Sequence, residues 1–189
     1  MASTPSTMLA LGTPLPAFSL PNAVDGQQLS SKDLAGSRGV LVMFICNHCP
    51  YVIHIRARLL DVAHRALAEG FDVVAINANS QQTHPQDGPA QMKQLALAEQ
   101  WRFPFLFDET QAVARAFAAA CTPDLFLFDA QRRLAYRGQF DDARPSKPTP
   151  VTGRDLQAAL EAVREGRSPS EAQVPSLGCN IKWHPAKGG

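Results

Sequence analysis

Val40-Leu41-Val42-Met43-Phe44-Ile45-Cys46-Asn47-His48-Cys49-Pro50 is the stretch on which the reading of this chain turns. Its six leading apolar residues are rich in β-branched types and predict a strand over 40–45, buried on both faces. Beyond Pro50, the residues Val52, Ile55, Leu59, Val62 and Ala66 recur at three- and four-residue spacing. That spacing is one face of an amphipathic helix, expected over about 50–69. Two cysteines therefore fall on a strand-to-helix turn, where the helix dipole and unpaired backbone N–H groups favour a thiolate.

Outward from this turn, Gly70 ends the helix and 71–77 reads as the next strand. Strand, helix and strand in this order predict a βαβ unit with parallel strands. Residues 80–89 are polar and carry two prolines, a surface loop. A helix is expected over 89–100 and a short strand over 105–107. Asp108 is placed to cap a helix over about 110–119, with Val113 and Phe117 inward. Cys121-Thr122-Pro123 leads into a strand at 124–128, and 133–138 alternates as its hairpin partner. Residues 141–150 are irregular, with Asp141 and Asp142 expected to fix the loop together with Arg137 and Arg144. Thr152 caps a last helix to about Gly166.

Upstream, 13–16 is a stiff extended entry, and short strands at 18–20 and 28–29 flank an Asp25-Gly26 turn. Residues 1–12 read as a loose leader and 167–189 as an irregular tail carrying Cys179. With the core at 13–166, the whole of 1–189 is expected to form one domain.

Apolar residues make up 45% and charged residues 19% of the chain, the balance of a globular protein. A net charge of +1 without a basic run points away from nucleic acid and anionic membranes. No signal-peptide pattern or spanning run is present, so a cytoplasmic location is expected. Four cysteines are too few for a disulfide-scaffolded secreted module, and Cys-x-x-Cys beside a strand–helix unit reads as redox-active or metal-binding.

Cys46 and Cys49 are spaced to close a disulfide on a helix N-terminus. His48, as imidazolium or N–H donor, would stabilise a neighbouring thiolate. If Pro50 is the first helical residue, Cys49 is the N-cap and the better thiolate. If Asn47 is the cap, Cys46 lies just outside the helix. Structural zinc is the competing reading. It would need further ligands from Cys121, Cys179 or a distant histidine. Thr122-Pro123, ahead of a buried strand, is a candidate cis bond. Cys121 and Cys179 are candidate third thiols, against the plainer readings of an apolar filler and an idle tail thiol. His54, His64 and His84 read as surface or packing residues.

Several segments resemble the thioredoxin superfamily, most closely the peroxiredoxin-like branch grouped with alkyl hydroperoxide reductase and thiol-specific antioxidant proteins. They are Phe44-Ile45-Cys46-Asn47-His48-Cys49-Pro50-Tyr51-Val52, Phe107-Asp108-Glu109-Thr110, the segment from Cys121 to Asp129, Arg137-Gly138-Gln139-Phe140-Asp141-Asp142, and the Cys179 segment. The resemblance implies an α/β, thioredoxin-like fold: a central mixed β-sheet flanked by helices, with an N-terminal strand extension and an irregular C-terminal tail. It further implies that Cys46 and Cys49 are the redox pair, that Pro123 is a cis-proline facing them, and that Thr122 helps position substrate. The chain also departs from the branch. Cys46 stands where peroxiredoxins carry a threonine, and Thr122-Pro123 where an arginine is expected. The buried acid of thioredoxin has no counterpart in 40–45.

The expected activity is thiol–disulfide oxidoreduction by Cys46 and Cys49, with His48 and Pro123 in the catalytic set. Partners would be protein or small-molecule disulfides or peroxides, and an external thiol donor such as a thioredoxin or glutathione system. No bound cofactor or metal is needed. The alternatives are a thiol peroxidase with Cys49 as the oxidised thiol, and a non-enzymatic redox-sensing or metal-binding module.

Overall fold

The computed structural model describes residues 3–185. In chain order its strands are β1 (Thr4–Pro5), β2 (Ser19–Pro21), β3 (Gln28–Ser30), β4 (Gly39–Phe44), β5 (Phe71–Asn77), β6 (Phe105–Phe107), β7 (Cys121–Thr122), β8 (Asp124–Asp129), β9 (Leu134–Gly138) and β10 (Leu177–Asn180). The helices are α1 (Pro50–Ala68), α2 (Pro89–Ala98), α3 (Ala112–Ala116) and α4 (Arg154–Arg164), with a single 3-10 turn at Pro85–Asp87. Among the described residues, no helix is long and apolar enough to cross a membrane.

A five-stranded mixed sheet runs β6-β5-β4-β8-β9. β4, β5 and β6 are parallel, as a βαβ unit requires, while β8 and β9 run antiparallel as a hairpin at the other side. Period-two alternation sorts the side chains. Leu41, Met43, Val73, Ala75, Leu125 and Leu127 face α1, α2 and α4. Val40, Val42, Phe44, Val74, Ile76, Phe126 and Phe128 face α3 and the N-terminal strands. Phe117 anchors the second face, with its ring 5.3 Å from those of both Phe44 and Phe126. Both faces of the sheet are covered, which is why β4 is apolar throughout.

The cap of α1 settles the open alternative at the turn. Cys49 is its N-cap and Pro50 its first residue, and the Cys49 carbonyl accepts the first helical bond from Ile53 N–H at 2.9 Å. α1 stops at Glu69, and Gly70 follows at a φ of +92°, which an L side chain resists.

α3 is shorter than 110–119. The Gln111 amide donates to the Ala78 and Lys182 carbonyls instead of facing solvent. Asp108 does cap the helix, through Ala114 N–H at 2.8 Å. α4 begins after Gly153 rather than Thr152, because the Asp141 carboxylate accepts both the Thr152 and Gly153 N–H groups at 2.6 Å. Asp141 thus fixes its loop, assisted by Arg144, which donates to the Asp141 carbonyl. Arg137 takes no part there; it lies fully buried against Asp124 at 3.2 Å.

Two larger corrections concern the chain ends. The segment read as a loose leader holds β1, and the tail read as irregular holds β10. The two pair antiparallel, Thr4 opposite Gly178. β10 also pairs with β7, Cys179 opposite Thr122 and Asn180 opposite Cys121. Each short strand supplies the backbone partners the others lack. Ser176 and Ile181, on either side of β10, are about 1% exposed. Gly178 is required by this packing: a Cβ there would lie 2.0 Å from the Thr122 carbonyl oxygen.

Candidate active site

β4 delivers the chain to Cys46, and Cys49 begins α1, so both thiols sit where the sheet's central strand meets a helix N-terminus. Four cysteines are free and all are buried, with Cys49 fully covered. The Cys46 thiol shares a hydrogen bond with Cys49. Together with smaller contributions from Cys179, Thr122 and the Val52 N–H, this outweighs the cost of burial and brings the Cys49 thiol down to about 5. Cys46 moves the other way. It holds the shared proton, is desolvated, and feels the Asp87 charge, so its thiol lies well above the ordinary value. The pair is a thiolate and the thiol that donates to it.

Thr122 and Pro123 face this pair from across the site, and their peptide bond is cis. Thr122 Oγ1 is 3.5 Å from Cys46 Sγ, and the Thr122 carbonyl is 3.0 Å from Cys49 Sγ. Strand alternation decides the fate of the two outlying cysteines. Cys179 lies directly opposite Thr122 in the ladder, and its Sγ is 2.8 Å from Cys49 Sγ. Cys121 pairs with Asn180 instead, and its thiol donates to the Pro123 carbonyl at 3.4 Å. Burial, with Asp124 nearby, pushes the Cys121 thiol far up. Burial and the bond to Cys49 push Cys179 up to about 12.

His48 stands between Asp87 and Cys46. Its Nδ1 lies 2.5 Å from Asp87 Oδ2 and 4.0 Å from Cys46 Sγ. Asp87 comes from the 3-10 turn, is fully buried, and was not singled out from sequence. It also accepts Asn47 N–H at 2.9 Å, His48 N–H at 3.3 Å and the Asn79 amide at 2.8 Å. One carboxylate therefore holds the backbone between the two cysteines in place. Asn79 in turn accepts Lys182 N–H at 2.8 Å, which ties the same network to the chain just after β10. His84 stacks on His48 with ring centroids 5.1 Å apart, while His64 packs on Phe103. Nothing in the sequence spacing links position 87 to 47 and 48. Its only signal was a lone acid in a polar loop.

Cys46, His48 and Asp87 bring three potential metal ligand atoms within 4.8 Å of one another. This is not the zinc set weighed from sequence, since neither Cys121 nor Cys179 joins it. Both oxygens of Asp87 already accept two N–H groups each, so a cation would have to displace bonds that fix the turn.

Asp87→Asn should keep an acceptor for Asn47 and His48 while removing the charge. The Cys46 thiol should then ionise at lower pH, visible as a second thiolate absorbance step shifted toward neutrality. A step that stays in place would show that the Asp87 charge does not act on Cys46.

The description of one family model, AhpC/TSA, matches residues 11–137. No curated protein matches the sequence. Among solved structures, an uncharacterized conserved protein from Geobacillus kaustophilus is 45% identical, with a TM-score of 0.96 over 98% of each chain. A hypothetical protein from Sinorhizobium meliloti 1021 is also 45% identical, with a TM-score of 0.94 over 97% of this chain and 100% of the other. A peroxidoxin from Mycobacterium tuberculosis shares the fold at 18% identity, with a TM-score of 0.62 over 85% of this chain and 100% of its own.

Proposed function

The chain belongs to the AhpC/TSA family of the thioredoxin superfamily, and from that premise we propose that it is a thiol–disulfide oxidoreductase with Cys49 as the attacking thiolate. Cys49 attacks one sulfur of a substrate disulfide, and the other substrate sulfur leaves as a thiolate. The mixed disulfide is resolved within the site. A Cys46–Cys49 disulfide is the form that an external dithiol, of the thioredoxin or glutathione kind, returns to two thiols. The observation that carries this reading is the N-cap position of Cys49 with Cys46 donating to it, which separates a thiolate from a thiol at neutral pH. Cis-Pro123 and Thr122 frame the approach to the pair, and Asp87 holds the turn between them. A reducing, cytoplasmic compartment would keep the four thiols in the free state.

A peroxidase reading is favoured by one feature, the complete burial of Cys49, which admits a hydroperoxide more readily than a protein disulfide. It is weakened because, among the described residues, no arginine or lysine hydrogen-bonds to Cys46, Cys49 or Thr122 to meet the peroxide oxygens. Arg137 is committed to Asp124, and the Thr122 hydroxyl faces Cys46. Oxidation of Cys49 by hydrogen peroxide at only a free-thiol rate would rule it out.

Alkylation of the reduced protein between about pH 4 and pH 10, with mass spectrometry locating the label, tests the main reading. Because the Cys49 thiol is lowered to about 5, its thiolate is present above that pH. Labelling of Cys49 should reach half its maximum near pH 5 and be flat by neutrality, while the other three cysteines label only in alkali. A Cys49 profile that instead rises through about pH 8.5, the ordinary thiol value, would sink the proposal.

A further inference from the structure

We infer that Cys179 on β10 is the first resolving thiol of Cys49, and that Cys46 then takes Cys49 over from it. The inference rests on the oxidoreductase reading and names a step within it. It starts from geometry. Cys49 Sγ has Cys179 Sγ at 2.8 Å beside its hydrogen bond with Cys46, and Cys46 Sγ also faces Thr122 Oγ1 and His48 Nδ1 at 3.5 and 4.0 Å.

Cys179 is also held there. Its strand is paired on both sides, by β1 and by β7. Ser176 Oγ donates to the Gly138 carbonyl on one side of β10, and Ile181 N–H to the Ala120 carbonyl on the other. Lys182 N–H is fixed to Asn79, which hydrogen-bonds the same Asp87 that holds the 47–48 turn. A thiol fixed at both ends of its segment beside the attacking sulfur reacts without an ordering cost. Cys179 lies beyond residues 11–137, the stretch matched by the family, so the family match does not carry this step.

The reduced site keeps Cys179 inert, because it is buried and bonded to the Cys49 thiolate. Once Cys49 carries a substrate sulfur, that negative charge is gone. The Cys179 thiol then loses its proton to the departing thiolate and attacks Cys49 Sγ. The Cys49–Cys179 bond forms, and the substrate sulfur leaves as a thiol. Next, Cys46 attacks Cys49 Sγ, the Cys46–Cys49 bond forms, and Cys179 leaves and takes up the proton that Cys46 released. This exchange involves no net oxidation, and the external dithiol reduces only the final pair. β10 is therefore stapled to the N-terminus of α1 for part of each cycle.

The test is a time course of the reduced full chain with 2-hydroxyethyl disulfide, quenched in acid, alkylated and mapped by mass spectrometry without reduction. The Cys49–Cys179 cross-link should appear first and give way to Cys46–Cys49. In Cys46→Ser it should accumulate as the end product. In Cys179→Ser the mixed disulfide on Cys49 should persist about tenfold longer or more. If the wild-type chain forms Cys46–Cys49 from the earliest time with Cys179 alkylated throughout, the inference is overturned while the oxidoreductase reading survives. If Cys49 never takes up the probe, both fall.

Discussion

Cys49→Ser should slow disulfide reduction, and the deficit should widen as the solution is made acidic. The magnitudes follow from two opposing effects. A thiol lowered to about 5 is almost wholly thiolate at pH 7, whereas Cys179, raised to about 12, is ionised to roughly one part in 100,000. Against this, nucleophilicity falls as the pKa falls, with a Brønsted slope of about 0.4–0.5. Over the interval between the two thiols that recovers roughly a thousandfold for the less acidic one. The net loss on deleting Cys49 is therefore at most roughly thirty- to a hundred-and-fifty-fold at pH 7, because part of the rise at Cys179 comes from Cys49 itself and goes with it. At pH 5 half of Cys49 is still thiolate, while any remaining thiol has lost a further hundredfold or so, and the loss grows about fiftyfold. Stopped-flow reaction with a small disulfide at the two pH values measures both. Equal losses at pH 5 and pH 7 would mean that Cys49 is not the acidic thiol. At neutral pH the low value of Cys49 favours its departure more than its attack, so a disulfide involving Cys49 is readily reduced.

Arg137→Ala should cost about 3–5 kcal/mol of folding stability, the usual result of breaking a buried ion pair. Arg137 and Asp124 are both fully buried, 3.2 Å apart. Asp124 also accepts from Ser6 Oγ and Ala120 N–H, so it joins the N-terminal segment to the residues beside Pro123. Burial pushes the Asp124 carboxyl up and the Arg137 charge opposes this. Without the arginine the rise is larger. A group whose pKa is raised by folding favours the fold at low pH and loses that contribution as pH rises through the folded value. The deficit of Arg137→Ala should therefore be greater at pH 7 than at pH 4 in urea unfolding. Adding Asp124→Asn to Arg137→Met should recover part of it, since no charge is left unpaired. The Cys49 labelling profile should not move, because Arg137 makes no contact with the thiols. A deficit below about 1 kcal/mol would place this pair with ordinary surface bridges.

The turn from β4 into α1 was legible because one apolar run and one helical stripe meet there, and Pro50 fixed the cap on Cys49. Thr122-Pro123 was legible as a proline before a buried strand. What the sequence did not yield was held by contacts between distant residues. Asp87 acts on positions 47 and 48 from a polar loop. Arg137 sits four positions before the 141–150 loop and reads as its partner, yet it is drawn inward to Asp124. The tail carried a signal that went unread: Leu177, Cys179, Ile181 and Trp183 alternate over a span too short and too rich in Gly and Asn to stand out. β10 exists because β1 and β7 each lend it one edge, and no window of sequence contains that. His48 shows the same thing, since its Nδ1 meets a residue 39 positions away.

Cys49 and Cys179 are 130 residues apart in the chain, and this separation gives the site a history during synthesis. At roughly 5–20 residues per second, Cys49 is added, with Cys46 just ahead of it, roughly 7 to 26 seconds before Cys179. For that interval the nascent turn lacks β10, and with it one of the donors that hold the Cys49 thiolate. An oxidant met then can close only the local pair. The complete three-thiol site comes into being only once the segment carrying Cys179 has followed.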